Sequence, residues 1–144
     1  MKRKSLIVVI LLLALSVTLL GCIKTFDGYD DDAKIVSSNT AVFSSHVSND
    51  ILGKLTDKSS KFNGVQTIKS VTVKEDGEYT FKMTLKISAG RFKLVLVDDA
   101  QNVFLITDKD IDGDNGITVN AKAGTYQIRM VGEDAKYELT YLYI

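Results

Sequence analysis

The sequence predicts an all-β fold, an antiparallel β-sandwich or jelly roll of about seven to nine strands that follows a signal peptide and a flexible tether. Three observations predict it. Residues 78–87 alternate without a break between apolar and polar side chains, which is the pattern of a strand with one buried face. Short apolar runs recur as far as residue 144, separated by turns rich in Gly, Asp and Asn. Strands do not alternate with long helical segments, which argues against a parallel α/β fold.

Composition narrows the class of protein. A chain of 144 residues suits a single domain. With 45% hydrophobic and 25% charged residues, wholesale disorder is excluded. The 18 basic residues balance the 18 acidic ones, so the bulk charge excludes a strongly basic nucleic-acid binder.

The amino terminus has the pattern of an export signal. Three basic residues within the first four precede an uncharged stretch, residues 6–20. At about 1.5 Å per residue, those residues span roughly 22 Å as a helix, short of the ~30 Å hydrocarbon core of a bilayer. A secretory signal peptide over residues 1–21 is therefore favoured over a permanent transmembrane anchor.

The apolar stretch ends in Leu19-Leu20-Gly21-Cys22, which resembles the bacterial lipobox. The resemblance implies that the Cys22 thiol carries diacylglycerol and becomes the first residue after cleavage. Acyl chains would then hold the protein to the extracytoplasmic face of a bacterial membrane, which is the cell surface in a Gram-positive cell. Because Cys22 is the only cysteine, the exported domain has no disulfide and folds by packing alone.

Two segments lie between the lipobox and the clearly predicted strands. Residues 22–40 have few large apolar side chains and no periodicity, so we expect a lipidated cysteine followed by a flexible tether, with the β-domain spanning residues 41–144. Residues 42–62 are ambiguous: a short helix and an edge strand with a loop fit almost equally well.

From residue 64 onward, strands are predicted throughout. Glu75-Asp76-Gly77 predicts a hairpin turn between residues 71–73 and the alternating strand. Residues 92–97 are apolar on both faces, which indicates a central strand. Further turns are expected at 88–90, 98–102, 123–124 and 132–135, with strands at 103–106, 117–121, 126–131 and 137–143.

Residues 92–98 form a Leu-x-Leu-x-Asp strand, which precedes Ala-Gly-Thr-Tyr-x-Ile-Arg at 123–129 and a closing strand from Tyr137. This order resembles the bacterial pre-peptidase C-terminal domain, and it is similar to small uncharacterised lipoproteins of Gram-positive bacteria. The likeness covers roughly residues 64–144, departing at Lys136-Tyr137 and at an Asp-rich insert after Ile106. It implies an eight- or nine-stranded jelly roll that acts as a non-catalytic accessory or binding module, with no catalytic residues.

An acidic loop over residues 108–116 resembles the front half of an EF-hand Ca²⁺ loop. Carboxylates occupy its first, third and fifth positions, a glycine occupies the sixth, and the seventh offers a backbone carbonyl. Val119 stands where that loop has a bidentate Glu, and no helices flank it. A weak Ca²⁺ site and a solvated hairpin loop are the alternatives, of which we favour the second. The candidate ligands are Asp108, Asp110, Asp112 and Asp114.

Tyrosines on the last predicted strand suggest a binding platform. Tyr137, Tyr141 and Tyr143 share one face, where they would stack on sugar rings or contact a protein. The alternative is that this face belongs to the core, which Leu139 between them favours.

Catalytic patterns are scarce. His46, the only histidine, is expected at the surface rather than in a catalytic or ligating role. Zinc-ligand spacings and phosphate-binding glycine loops do not occur. The leading hypothesis is a lipid-anchored, extracytoplasmic, non-catalytic β-sandwich that binds an envelope protein or glycan or has a structural role. The alternative is a Ca²⁺-dependent carbohydrate- or peptide-binding module that uses residues 108–116; a small hydrolase is the third and weakest hypothesis.

Overall fold

The computed structural model describes residues 25–112 and 116–142, and it confirms an all-β antiparallel architecture. Within those residues, one short helix, α1, precedes seven strands, a number of strands within the predicted range. In chain order the elements are α1 Asp32–Ser37, β1 Ala41–Ser44, β2 Val47–Ile51, β3 Lys54–Val73, β4 Gly77–Asp98, β5 Val103–Thr107, β6 Ile117–Ala121 and β7 Gly124–Leu142.

All seven strands belong to one sheet with the order β1-β3-β7-β4-β5. β2 pairs with β3 beyond the end of β1, and β6 pairs with β4 at the end opposite β5. For residues 42–62 the sequence predicted either a short helix or an edge strand with a loop. The structure shows strands there: the edge strands β1 and β2 and the beginning of β3.

The sheet folds over on itself, as chain connectivity requires. β3 has 20 residues, which at about 3.3 Å each would extend for roughly 65 Å in a flat sheet. β3 and β4 run in the same direction on either side of β7, so the chain must return from the end of one to the start of the other. Only residues 74–76 make this return, and they reach at most about 14 Å. The two ends of the long strands therefore lie close together.

This arrangement corrects the hairpin expected at residues 75–77. Asp76-Gly77 does end one strand and begin the next, but β7 lies between β3 and β4, and these two strands do not pair. The local turn was predictable, whereas the partner of each strand was set by a segment 50 residues further along the chain.

Bulges near the middle of the long strands produce the fold-over. Register shifts occur at residues 59–64 of β3 and 87–91 of β4. Gly90 has φ +68°, and a Cβ there would stand 2.2 Å from the Asp134 carbonyl oxygen. Asn63 exchanges two hydrogen bonds with Asp134, of 2.8 and 2.9 Å. The turns expected at 88–90 and 132–135 are therefore bends within continuous strands.

The concave face encloses the main core. The alternation of residues 78–87 is confirmed: its polar members are exposed, and the apolar members lie in or against the core. Phe62, Phe92 and Tyr137 form an aromatic centre at the bend, with ring centroids 4.3–6.1 Å apart.

A second, smaller core covers the outer face of one half of the sheet. Tyr29 and Ile35 pack there against Val65, Val95 and Val131. This confirms the prediction of a central strand over residues 92–97: Phe92 and residues 94–97 are buried, and Lys93 is half-buried. We call residues 64–73, 91–98 and 124–132 the covered half, and residues 54–60, 77–87 and 136–142 the one-faced half, whose outer face is mostly exposed.

The prediction of a flexible tether is wrong for residues 26–38, because these residues pack on the covered half. The Asp31 carboxylate caps α1 by accepting from the Lys34 N–H, and Ile35 is fully buried. The Arg129 guanidinium donates to the carbonyls of Ile35, Val36 and Ser38, the first through a short bond. Arg129 is only 7% exposed, and its hydrogen bonds hold the end of α1 in place.

Salt bridges fasten the same segment nearer its start. Arg91 donates to both carboxylate oxygens of Asp30, at 2.6 and 2.8 Å, and to Glu133 at 3.2 Å. Its guanidinium also lies 3.9 Å from the centre of the Tyr29 ring. Burial raises the pKa of Tyr29 to about 12, so its hydroxyl stays neutral.

Candidate functional site

A groove of about 1160 Å³ opens between β5 and β6. Residues 103–105 and 119–121 form its two walls, and Leu96 and Tyr126 lie at its base. Both base residues are buried, so the groove reaches the main core. We call this feature the β5–β6 groove.

β4 positions both walls. It pairs with β5 through residues 94–97 and with β6 through residues 77–81, near its two ends. Since the fold-over brings those ends together, β5 and β6 face each other. Among residues 25–112 and 116–142, neither strand pairs with any strand except β4, so each has one unpaired edge.

The turn between β4 and β5 fixes which backbone groups form that edge. The Asp98 N–H donates to the Asn102 carbonyl at 3.1 Å, and the Gln101 N–H donates to the Asp98 carbonyl at 3.0 Å. Gln101 has φ +65°. This is a three-residue hairpin loop with a left-handed third residue, and Asp98 and Asn102 are its hydrogen-bonded pair.

Hydrogen-bonded and non-hydrogen-bonded pairs alternate along an antiparallel ladder. Counting from the turn, Phe104 faces Leu96 in a hydrogen-bonded pair, whereas Val103 and Leu105 occupy non-hydrogen-bonded pairs. The N–H and C=O groups of Val103 and Leu105 therefore point away from β4. They form the hydrogen-bonding edge that β5 presents to the groove.

Side-chain hydrogen bonds hold the far rim of the groove in place. The Tyr126 hydroxyl donates to the Lys122 carbonyl at 3.0 Å and accepts from the Lys122 N–H at 3.2 Å. The Asp76 carboxylate accepts from the Ala123 N–H at 2.8 Å and so joins the β3–β4 link to the β6–β7 turn. The rim is therefore formed by bonded residues rather than by a loose loop.

The charge of the groove is negative. Among the residues that the structure describes, Asp76, Asp98 and Asp99 line it, against Lys122 as the single basic lining residue. Hydrogen bonds from the Asn102 side chain and backbone hold the pKa of Asp98 below its usual range, so this carboxylate is ionised at neutral pH.

The β5 wall is unusually apolar for an edge strand. It contains no charged residue, and Phe104 and Leu105 are 47% and 54% exposed. Edge strands in monomeric proteins usually carry charges, bulges or a covering element that prevents pairing with other chains. β5 has an unpaired edge and large exposed apolar side chains, a combination suited to binding.

A second polar cluster lies under β1 and β2. Asp57, which is 3% exposed, accepts from His46 Nε2 at 3.0 Å and from the Tyr137 hydroxyl through a short bond. The His46 ring stacks on Phe43 with centroids 4.0 Å apart. Burial, followed by the bond to Asp57, raises the pKa of Tyr137 well above its usual range. His46 is exposed, as predicted, and its imidazole is held to a buried carboxylate.

The hydrogen bonds around Asp57 and Ser59 connect neighbouring strands. The hydroxyls of Ser59 and Ser60 donate to the Ser44 carbonyl, at 3.0 and 2.8 Å, so both point to backbone rather than to the imidazole. A catalytic triad requires a hydroxyl hydrogen-bonded to the histidine. The arrangement instead fastens the corner between β1 and β2 onto β3.

The acidic loop is only partly described. The Asp110 carboxylate accepts from the Ile87 N–H at 2.8 Å, and Ile111 bridges to Leu85 and is 9% exposed. Asp108, Asp110 and Asp112 form no group of three metal ligands within the part of the chain that the structure describes. Asp114 lies outside those residues, so the four-carboxylate Ca²⁺ hypothesis stays a prediction.

The prediction of a tyrosine binding platform is wrong for two of its three residues. Tyr137 and Tyr141 are 1% and 5% exposed, and both belong to the main core together with Leu139. The core alternative is confirmed for these two. Tyr143 lies outside the described residues.

The groove was not visible in the sequence, because its walls are 12 or more residues apart and meet only through the fold-over of β4. The one local signal was the apolar run 103–106, which carries no charge although it neighbours a polar turn. The predicted lipidation site, Cys22, lies outside the described residues. Among those residues, no helix has the length and apolar character needed to cross a membrane.

Comparison with protein-family models finds none that matches this chain, and comparison with curated proteins finds no match.

Proposed function

We propose that the protein is a lipid-anchored, extracytoplasmic, non-catalytic binding module of the bacterial cell envelope and that the β5–β6 groove is its binding site. The observation that carries the proposal is a preformed groove of about 1160 Å³ between two strands with unpaired edges. Binding sites are typically concave and largely apolar, with a few fixed polar groups, and this groove has all three properties.

The proposal of a lipid anchor is based on the sequence around Cys22. The packing of the segment that follows Cys22 limits how far the β-domain can lie from that anchor. Phe26 already packs against the smaller core, four residues after Cys22. At 3.8 Å per Cα step, four residues reach at most about 15 Å. A lipid on Cys22 would therefore hold the covered half close to the membrane surface.

The groove would lie beside this anchored face. Val103, at the start of β5, packs against the same small core as Phe26 and Ile35. A bound partner would thus be held near the membrane, which suits an accessory module that retains an envelope component at the surface.

Photo-crosslinking in living cells tests the binding site. Phe104 is replaced by p-benzoylphenylalanine, and Leu52, which is fully exposed at the β2–β3 turn, receives the same substitution as a matched control. Irradiation is expected to give a discrete adduct from position 104 and none from position 52. Equal labelling at both positions, or none at 104, would contradict the proposed site.

Acylation tests the anchor separately. The full chain and its Cys22→Ala variant are expressed in a bacterium fed radiolabelled palmitate, followed by membrane fractionation. We expect label and membrane retention in the unchanged chain and loss of both in the variant. An unlabelled protein in the soluble extracytoplasmic fraction would refute lipid anchoring and leave the groove proposal standing.

A further inference from the structure

The chemistry of the β5–β6 groove indicates what kind of ligand it takes. Its β5 wall offers backbone donors and acceptors at Val103 and Leu105, spaced two residues apart along an extended strand. Such a row is complementary to another extended backbone. Sugars and small molecules do not carry donors and acceptors at that repeat, whereas a peptide in the β conformation does.

We infer that the groove binds an extended peptide of another protein, which adds as a strand to the free edge of β5 and carries apolar side chains flanked by basic residues. This inference rests on the proposed function, in that it assumes the groove to be the binding site. Because β5 and β6 each have five residues, the bound segment would be about five or six residues long.

Side chains along the groove define the middle of the ligand. Alternate residues of an added strand would point toward the core side, where Leu96 and Tyr126 form the base. Phe104 and Leu105, both about half exposed, would be covered by the ligand's own side chains. Apolar residues at alternate positions would therefore bury apolar surface on both partners, which favours binding.

Charge complementarity defines the ends of the ligand. Asp98 and Asp99 lie at the turn before β5, and Asp76 lies on the opposite rim beside the basic residue Lys122. Lysine or arginine beside the apolar centre would face these carboxylates and accelerate association.

The same charges disfavour a second copy of this chain as the occupant. Antiparallel pairing of two β5 strands would bring the start of each strand to the end of the other. Asp98 and Asp99 precede β5, and Asp108 and Asp110 follow it, with Lys109 between the latter two. Acidic ends would face acidic ends, which costs free energy in a self-complementary interface.

Backbone methylation of a peptide separates strand pairing from other modes of binding. The probes are fluorescently labelled, acetylated hexapeptides with lysine at both ends and alternating apolar and threonine residues between. Two derivatives carry N-methyl groups on one or the other alternate set of residues, so that side chains are unchanged while one row of N–H donors is removed. Anisotropy is measured with the full-length protein in detergent.

We expect the parent peptides to bind and one methylated set to lose at least tenfold in affinity, while the other set keeps most of it. Phe104→Ser should weaken the parent at least fivefold, and Leu52→Ser should leave it unchanged. Equal binding of all three peptide forms, or no binding up to 1 mM, would overturn strand addition.

Failure of the two proposals can be told apart. A photoadduct at position 104 combined with peptides that do not bind would keep the groove as a site and overturn the peptide inference. Absence of both would overturn the site itself. A dimer in sedimentation that Phe104→Glu dissociates would make a second copy the occupant and also overturn the inference.

Discussion

The covered half and the one-faced half of the sheet are built from the same three strands, yet they bury different faces. In the one-faced half, alternate residues of β4 from Glu78 to Lys86 are exposed. In the covered half, four consecutive residues, 94–97, are buried because residues 26–38 lie over the outer face. Outer-face polarity in this sheet therefore follows what covers it: the outer face is apolar where the N-terminal segment packs on it and polar where it meets solvent.

The largest expected effect comes from placing a charge on the outer face of each half. Val131 is fully buried beneath the N-terminal segment, whereas Thr84 is exposed on the equivalent face of the other half. Val131→Lys would bury an unpaired ammonium and should cost about 3–5 kcal/mol, enough to threaten folding. Thr84→Lys should change the free energy of unfolding by less than about 0.5 kcal/mol.

Urea denaturation of both variants measures the difference. Similar midpoints for Val131→Lys and Thr84→Lys would mean that the N-terminal segment does not cover the sheet in solution.

The next largest effect is expected from removing the hydrogen bonds by which Arg129 holds residues 26–38 on the sheet. Arg129→Met keeps the apolar stem but removes the donors to three carbonyls at the end of α1. Burial lowers the pKa of Arg129, yet the guanidinium stays charged at neutral pH. We expect a loss of about 2 kcal/mol and faster hydrogen exchange in residues 29–38.

Lys82→Met, on the exposed face of the one-faced half, is the control. Unchanged exchange rates in residues 29–38 of Arg129→Met would show that Arg129 does not hold the segment.

A smaller effect is expected within the one-faced half, where a buried polar pair stabilises the structure. Tyr137→Phe leaves the Asp57 carboxylate without its hydroxyl donor at a site that is 3% exposed. The expected cost is about 1 kcal/mol, because His46 still donates to the carboxylate. Tyr79→Phe removes a hydroxyl that bonds the Glu75 carbonyl at an exposed position, where water replaces it at little cost. Equal melting temperatures for the two variants would contradict the role of Asp57.

The smallest effect is a pH dependence of the bend. Hydrogen bonds from Asn63 and Lys61 hold the pKa of Asp134 below its usual range. A carboxyl with a lowered folded-state pKa stabilises the fold above its unfolded pKa of about 3.9, and this contribution is lost as the pH falls through the folded value. Between pH 5 and pH 3, the melting temperature should therefore fall more in the unchanged protein than in Asp134→Asn. An equal or smaller fall would contradict the assignment.

Periodicity in the sequence was enough to predict the class of fold and the inward face of residues 78–87, because a half-buried strand imposes a period of two on its side chains. It also identified the strand over residues 92–97 as central, where every residue except the half-buried Lys93 is buried. The covering segment was missed, since α1 has only six residues and one fully buried side chain, Ile35. Propensity carries little information over so short a helix.

Pairing partners and the groove could not be predicted for a different reason. Asp76-Gly77 and Gly90 are read as turns because glycine favours them, but a bulge and a hairpin use the same residue types. Which of the two forms depends on contacts with β7, far along the chain. Likewise, nothing in the sequence next to Asp57 indicated that His46 and Tyr137 would both hydrogen-bond to its carboxylate.

The unpaired edge of β5 is the structural fact on which the binding site depends, and amide hydrogen exchange tests it most directly. In the unliganded full-length protein, the Phe104 N–H should be protected by its bond to β4, whereas the N–H groups of Val103 and Leu105 should exchange at least tenfold faster. Equal, strong protection of all three amides would show that the edge is already paired and would contradict the account.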